Sequence, residues 1–131
     1  MSFPIATDGA GICFAFPDVC DTPTPSGTVP VPYPNIGQLS DATGTSDDVF
    51  VGGDRVILSK SEIPSTTGNE AGSAGGVQSG VTKGKVEFTS ASTTVFVNGE
   101  GVVRMFDSTT QNDGNAVGTV LGGVPTVLVG G

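Results

Sequence analysis

Thr94-Val95-Phe96-Val97-Asn98-Gly99-Glu100-Gly101-Val102-Val103-Arg104-Met105-Phe106 reads as strand, tight turn, strand. The β-branched and aromatic residues on both sides of Asn98-Gly99 favour extended backbone, because their side chains pack well on a pleated surface. Asn-Gly supplies the positive φ that both central positions of a primed two-residue turn require, and that turn matches the twist of a hairpin. Upstream, Val49-Phe50-Val51, Gly52-Gly53 and Asp54-Arg55-Val56-Ile57-Leu58 show the same arrangement, so a weak internal repeat is expected. Downstream, Pro125-Thr126-Val127-Leu128-Val129 predicts a last apolar strand. Helical periodicity is almost absent, and the chain is predicted to be an all-β module of short strands and hairpins.

Two segments are less regular. From Phe16 to Asn35, prolines alternate with other residues, most densely in Val29-Pro30-Val31-Pro32-Tyr33-Pro34. Each proline fixes φ and removes an N–H donor, so this stretch must be extended, polyproline-like or at a sheet edge. A rigid strap across the domain is favoured over a free polyproline ligand. Between the hairpins, Ile63 to Val77 is a loop of small residues. There Asn69 is positioned to cap one or two helical turns at Glu70 to Ala74, weakened by glycine.

At 131 residues the chain fits a single domain, expected to span 1–131 with no appended effector domain. Gly 21 and Pro 9 approach a disordered composition, but charged residues are only 14% and the Val, Ile and Thr clusters can bury one another. A net charge of −8 with five basic residues excludes the neutralisation of a row of phosphates and disfavours anionic lipid. No apolar run reaches the length of a membrane span, and the N-terminus lacks a secretory signal, so synthesis and assembly in the cytoplasm are expected. Cys13 and Cys20 either form one disulfide or are two small buried apolar residues.

Catalytic groups are scarce. The chain has no His, which removes the usual proton shuttle, the commonest transition-metal ligand and the Ser-His and Cys-His nucleophile pairs. Gly75 to Gly80 has the glycine spacing of a phosphate loop, but Val81-Thr82 stands where a Lys-Ser or Lys-Thr pair is needed. Asp47, Asp48 and Asp54 read as solvated turn residues, and Ser59-Lys60 as a strand end. Asp107 to Asn115 is rich in oxygen but lacks the acidic spacing of a calcium loop. No catalytic residue, metal ligand or cofactor is assigned, and the chain reads as a non-enzyme that fits onto another protein.

Thr24-Pro25-Ser26-Gly27-Thr28-Val29-Pro30-Val31-Pro32-Tyr33-Pro34-Asn35-Ile36 resembles the proline-tyrosine-proline-asparagine signature of the PAAR-like proteins. Ser59-Lys60-Ser61-Glu62-Ile63-Pro64 with Gly68-Asn69-Glu70-Ala71-Gly72 is similar to their middle motif, and Val95 to Asp107 to their last. In that last motif Gly101-Val102-Val103-Arg104 stands where the wider family has Pro-Ala-Ala-Arg. The resemblance runs from about Phe14 to Asn112. It implies a tapered, three-sided cone of short strands, like a β-prism or β-helix. Such cones cap the trimeric spike protein of type VI secretion systems and related contractile injection machines, one tip per trimer, and recruit effectors. The implied course is assembly in the cytoplasm followed by injection through the contractile apparatus.

The resemblance also implies a zinc site of three His and one Cys near the tip, which a chain without His cannot assemble. Packing and backbone hydrogen bonds, helped by a Cys13–Cys20 disulfide, are the expected replacements, with a metal held by Cys13, Cys20 and carboxylates as the less favoured alternative. Pro30, Pro32, Tyr33, Pro34 and Asn35 are the expected contact residues, with Tyr33 either at the interface or acting as a core lid. Asn98, Gly99, Arg104 and Asp107 are expected to form a structural motif, in which Arg104 pairs with Asp107. A phage tail-tip or baseplate component, an effector-binding or chaperone-binding adaptor, and a small hydrolase using Asp47, Asp48 or Asp54 are the competing readings.

Overall fold

The computed structural model describes residues 2–131. Its strands are β1 (Phe3–Ile5), β2 (Ile12–Thr24), β3 (Gly27–Gln38), β4 (Phe50–Val51), β5 (Asp54–Arg55), β6 (Glu62–Ile63) and β7 (Gly75–Gly76). They continue with β8 (Val86–Phe88), β9 (Phe96–Val97), β10 (Glu100–Gly101), β11 (Ser108–Gln111), β12 (Ala116–Leu121) and β13 (Val124–Val129). The only helical element among the described residues is a 3-10 turn, Leu39–Asp41, so the chain is all-β and no helix is long and apolar enough to cross a membrane.

The sheet at the centre runs β3-β2-β12-β11-β8-β6, with β7 also paired to β2. The predicted strap is the outermost part of this sheet rather than a segment laid over it. β2 and β3 form one long antiparallel hairpin, with Val19 opposite Pro32 and Asp21 opposite Pro30. An edge strand tolerates prolines because the N–H groups they remove would face solvent. A bulge between Ala15 and Asp18 resets the alternation so that Cys13, Ala15, Asp18 and Cys20 all face inward.

 The register shift lies between Ala15 and Asp18, and it lets two cysteines at an odd spacing share one face of the strand.

Two further expectations are corrected. Residues 70–74 form turns, not a helix. The Asn69 side chain is drawn into the core instead of capping, and Gly72 sits where a Cβ would strike Cys20 and Tyr33, so the backbone is held by packing. Cys13 and Cys20 are both free and buried. They lie on one extended strand, where a seven-residue separation spans on the order of 20 Å, far beyond the reach of a disulfide.

The remaining strands build a pseudo-threefold unit. β4 with β5, and β9 with β10, are the two predicted hairpins, turning at Gly52-Gly53 (φ 60° and 87°) and Asn98-Gly99 (φ 52° and 80°). β1 and β13, from the two ends of the chain, pair as the equivalent of a third. Each pair leads into a segment, residues 4–8, 55–59 and 101–105, and the three segments close a ring. The N–H of Ala6 donates to Val103 O, that of Val103 to Ile57 O, and that of Ile57 to Ala6 O, each at 3.0 Å. A second set runs round the ring in the opposite sense: Asp8 N–H to Arg55 O, Ser59 N–H to Gly101 O and Met105 N–H to Pro4 O. The bridges Thr7–Val56, Leu58–Val102 and Ile5–Arg104 complete the pattern.

The core divides accordingly. Ile5, Val56 and Val102, at equivalent places in the ring, pack with Leu58 and Val129 into one apolar cluster. Their neighbours Ala6, Ile57 and Val103 face the other way, into a second cluster with Cys13, Leu39, Ile63, Val86, Phe88 and Val120. Beyond that cluster, along β2 and β11, the interior turns polar: Asn35, Asp18, Asn69, Thr109, Gln111 and Asn112 are all buried.

Candidate functional site

Antiparallel pairing fixes which side chains of the three hairpins face solvent, since directly opposed residues share a face and neighbours alternate. Val51, Val97 and Val129 turn inward onto the apolar cluster. The preceding residues, Phe50, Phe96 and Leu128, turn outward and are 52%, 59% and 59% exposed. They are equivalent by register: Phe50 stands opposite Arg55, Phe96 opposite Gly101, and Leu128 opposite Pro4. Three large apolar groups exposed to the same degree at related positions form a threefold set, whereas exposed apolar residues scattered singly are ordinary.

The hairpins also brace one another. Asn98, at the tip of the β9–β10 turn, accepts a hydrogen bond from Asp47 N–H through Oδ1 (3.0 Å) and donates to Asp48 through Nδ2 (3.3 Å). Thr93 N–H, at the position equivalent to Asp47, donates to Gly131 O (3.4 Å). Arg55 donates to Ser46 O and Asp47 O, and its guanidinium lies 5.2 Å from the centre of the Phe50 ring. Asp47, Asp48, Asp54 and Glu100 give this end an acidic border.

Ser59 and Lys60 do not form a nucleophile pair, because Ser59 Oγ donates to Glu100 Oε1 (2.9 Å). Arg104 meets Asp107 at 3.0 Å in an ion pair that is almost wholly buried, and the Arg104 N–H also donates to Asp107 Oδ2 (2.7 Å). This motif closes the turn after the third ring segment and reaches Gly130 O at the chain end. In the second segment Ser61 Oγ takes the same place, accepting from Leu58 N–H (2.9 Å), so the repeat extends past the hairpins.

The proline-rich motif lies elsewhere, on β3. Pro30, Pro32 and Pro34 are exposed along the sheet edge. Asn35 is fully buried and cannot serve as a contact residue: its Nδ2 donates to Thr66 Oγ1 (2.9 Å), and its Oδ1 accepts from Gln111 Nε2 (2.9 Å). Tyr33 is half-buried against Gly72, and its hydroxyl is 2.6 Å from Thr22 Oγ1. These five residues therefore do not form one surface, and none is part of the threefold set.

A second constellation, which sequence reasoning missed, is centred on the fully buried Asp18. Its Oδ1 accepts from Asn112 Nδ2 (3.2 Å) and Asn115 Nδ2 (2.5 Å), and its Oδ2 from Asn69 Nδ2 (2.7 Å). The Asn69 and Asn112 amides also approach Cys20 Sγ, at 3.8 and 3.7 Å. Burial, reinforced by the Asp18 charge, pushes the Cys20 thiol up to about 11, and burial pushes Cys13 up to about 12. Among the described residues no three His, Cys, Asp or Glu side chains come together as a metal-binding group. The signal was the Asn112/Asn115 pair within the oxygen-rich segment, whose amides turn inward rather than towards solvent.

The sequence pattern of the family described as Toxin PAAR-like domain matches residues 11–118. The DNase toxin Tse7 of Pseudomonas aeruginosa is 42% identical over 115 residues, which is 82% of this chain and 29% of that protein's length. The chain thus spans less than a third of this relative. No solved structure matches.

Proposed function

Since the chain belongs to the PAAR-like toxin domain family, we propose that it caps a trimeric secretion spike, docking through its three-hairpin end. The observation that carries this reading is the ring around Ala6, Ile57 and Val103, in which one chain repeats the same backbone hydrogen bonds three times. A monomer meets a trimer well only if it offers each partner chain a similar surface, and the ring sets Phe50, Phe96 and Leu128 at equivalent places. The partner suited to this end is a threefold-symmetric protein with an apolar centre in each chain and basic residues facing the acidic border. One tip per three spike chains is expected, and mixing purified tip and spike, followed by native mass measurement, tests that ratio. A free monomer beside an unaltered trimer would refute the proposal.

A second reading, that the chain serves a DNA-cutting effector, is favoured by the name of its relative, a DNase toxin. It gains little from the residues of this chain, which has no His and whose Asp47, Asp48 and Asp54 surround hairpin turns. A plasmid-cleavage assay with magnesium separates the two: the tip reading predicts intact DNA, and cleavage lost on replacing these aspartates would favour the effector reading.

A further inference from the structure

We propose that the Asp18 cluster holds the polar end of the molecule together without a metal ion, performing with one carboxylate and three amides the bracing that zinc gives histidine-bearing PAAR proteins. Each amide is oriented by what its oxygen accepts. Asn69 Oδ1 accepts from Lys83 N–H (3.1 Å), Asn112 Oδ1 from Gly84 N–H (2.8 Å), and Asn115 Oδ1 from Gln78 N–H (2.8 Å) and Ser79 N–H (3.2 Å). With every amide oxygen committed to backbone donors, only N–H groups are left to face Asp18. An ionised carboxylate satisfies those donors, whereas a cation in the same place would meet the positive ends of three amide dipoles.

The other ligand a metal would need is also unavailable. The Cys20 thiol stands 3.7 Å from Asp18 Oδ1 as a hydrogen-bond donor, and burial favours its neutral form over the thiolate that metals bind. Asp18 is the one carboxylate of the cluster, and one carboxylate with one cysteine is too few for a closed zinc site. No buried side-chain nitrogen or oxygen among the described residues lacks a partner, so the cluster is complete as it stands. Through it Asp18 on β2 is tied to Asn69, Asn112 and Asn115, and through their oxygens to the loop from Gln78 to Gly84. Gly76 fits this crowding: a Cβ there would run into the Asn115 carboxamide.

The purified full chain tests this directly, through its metal content and its melting temperature with and without a chelator such as EDTA. The expected result is far less than one zinc per chain and a melting temperature that the chelator leaves unchanged. About one tightly held zinc per chain, with melting lowered by the chelator, would overturn the proposal. Asp18→Asn is expected to lower the melting temperature by about 10 °C or more, since an amide faces three amide donors. Should that variant fail to fold, Asn115 gives a graded test. Asn115→Asp sets a second carboxylate against Asp18 and is expected to destabilise more than Asn115→Ala, with no rescue by added zinc. The reverse order, or rescue of Asn115→Asp by zinc, would contradict an anion-centred cluster.

Discussion

The two ends of this molecule solve one problem, the convergence of distant chain segments, by opposite means. At the three-hairpin end the backbone does the joining. Ala6, Ile57 and Val103 occupy one ring position and Pro4, Arg55 and Gly101 another, yet the hydrogen bonds are the same in each segment. At the Asp18 end the side chains do it: Asp18, Asn69, Asn112 and Asn115 each have a distinct set of partners. The first region should therefore accept any side chain of suitable size and polarity, while the second depends on chemical identity.

Substitution should break this contrast first at the polar end. Gln111→Leu removes the donor that reaches Cys13 O, Asn35 O and Asn35 Oδ1, and the acceptor for Thr109 Oγ1. Several buried polar groups lose their partner together, so a loss of about 4 kcal/mol is expected in denaturant unfolding. Leu58→Ala, in the ring cluster, leaves a cavity but no orphaned polar group, and should cost about 3 kcal/mol in the same measurement.

The thiols sharpen the comparison through pH. Cys13 and Cys20 are raised from 9.0 to about 12 and about 11, so their neutral forms are favoured by folding. That contribution is fully present below pH 9 and is lost as pH rises from there towards 12. Unfolding midpoints across that range should fall, and Cys20→Ala should flatten the slope. The smallest stability effect belongs to the exposed set: Phe50→Ser and Phe96→Ser should each change stability by less than about 1 kcal/mol while weakening spike binding markedly.

The hairpins were legible in the sequence because Gly52-Gly53 and Asn98-Gly99 sit between β-branched runs, which is a local signal. The third member of the set was not, since β1 and β13 lie at opposite ends of the chain and meet only in the fold. The likeness of Val127-Leu128-Val129-Gly130-Gly131 to Val49-Phe50-Val51-Gly52-Gly53 is its trace in the sequence. Arg104 with Asp107 was readable as neighbours in one turn, whereas Asp18 with Asn112 spans most of the chain. Asn35 looked like part of a surface motif because its proline neighbours are exposed, but strand alternation turns it inward onto Gln111.

Spike docking is tested most directly by the mass of the complex formed by this chain and a trimeric spike protein, with and without Phe50→Ser and Phe96→Ser together. One chain per spike trimer is expected for the native protein and loss of that complex in the double variant, with folding intact. A native protein that leaves the trimer free, or a double variant that binds as well as the native chain, would contradict docking through this end.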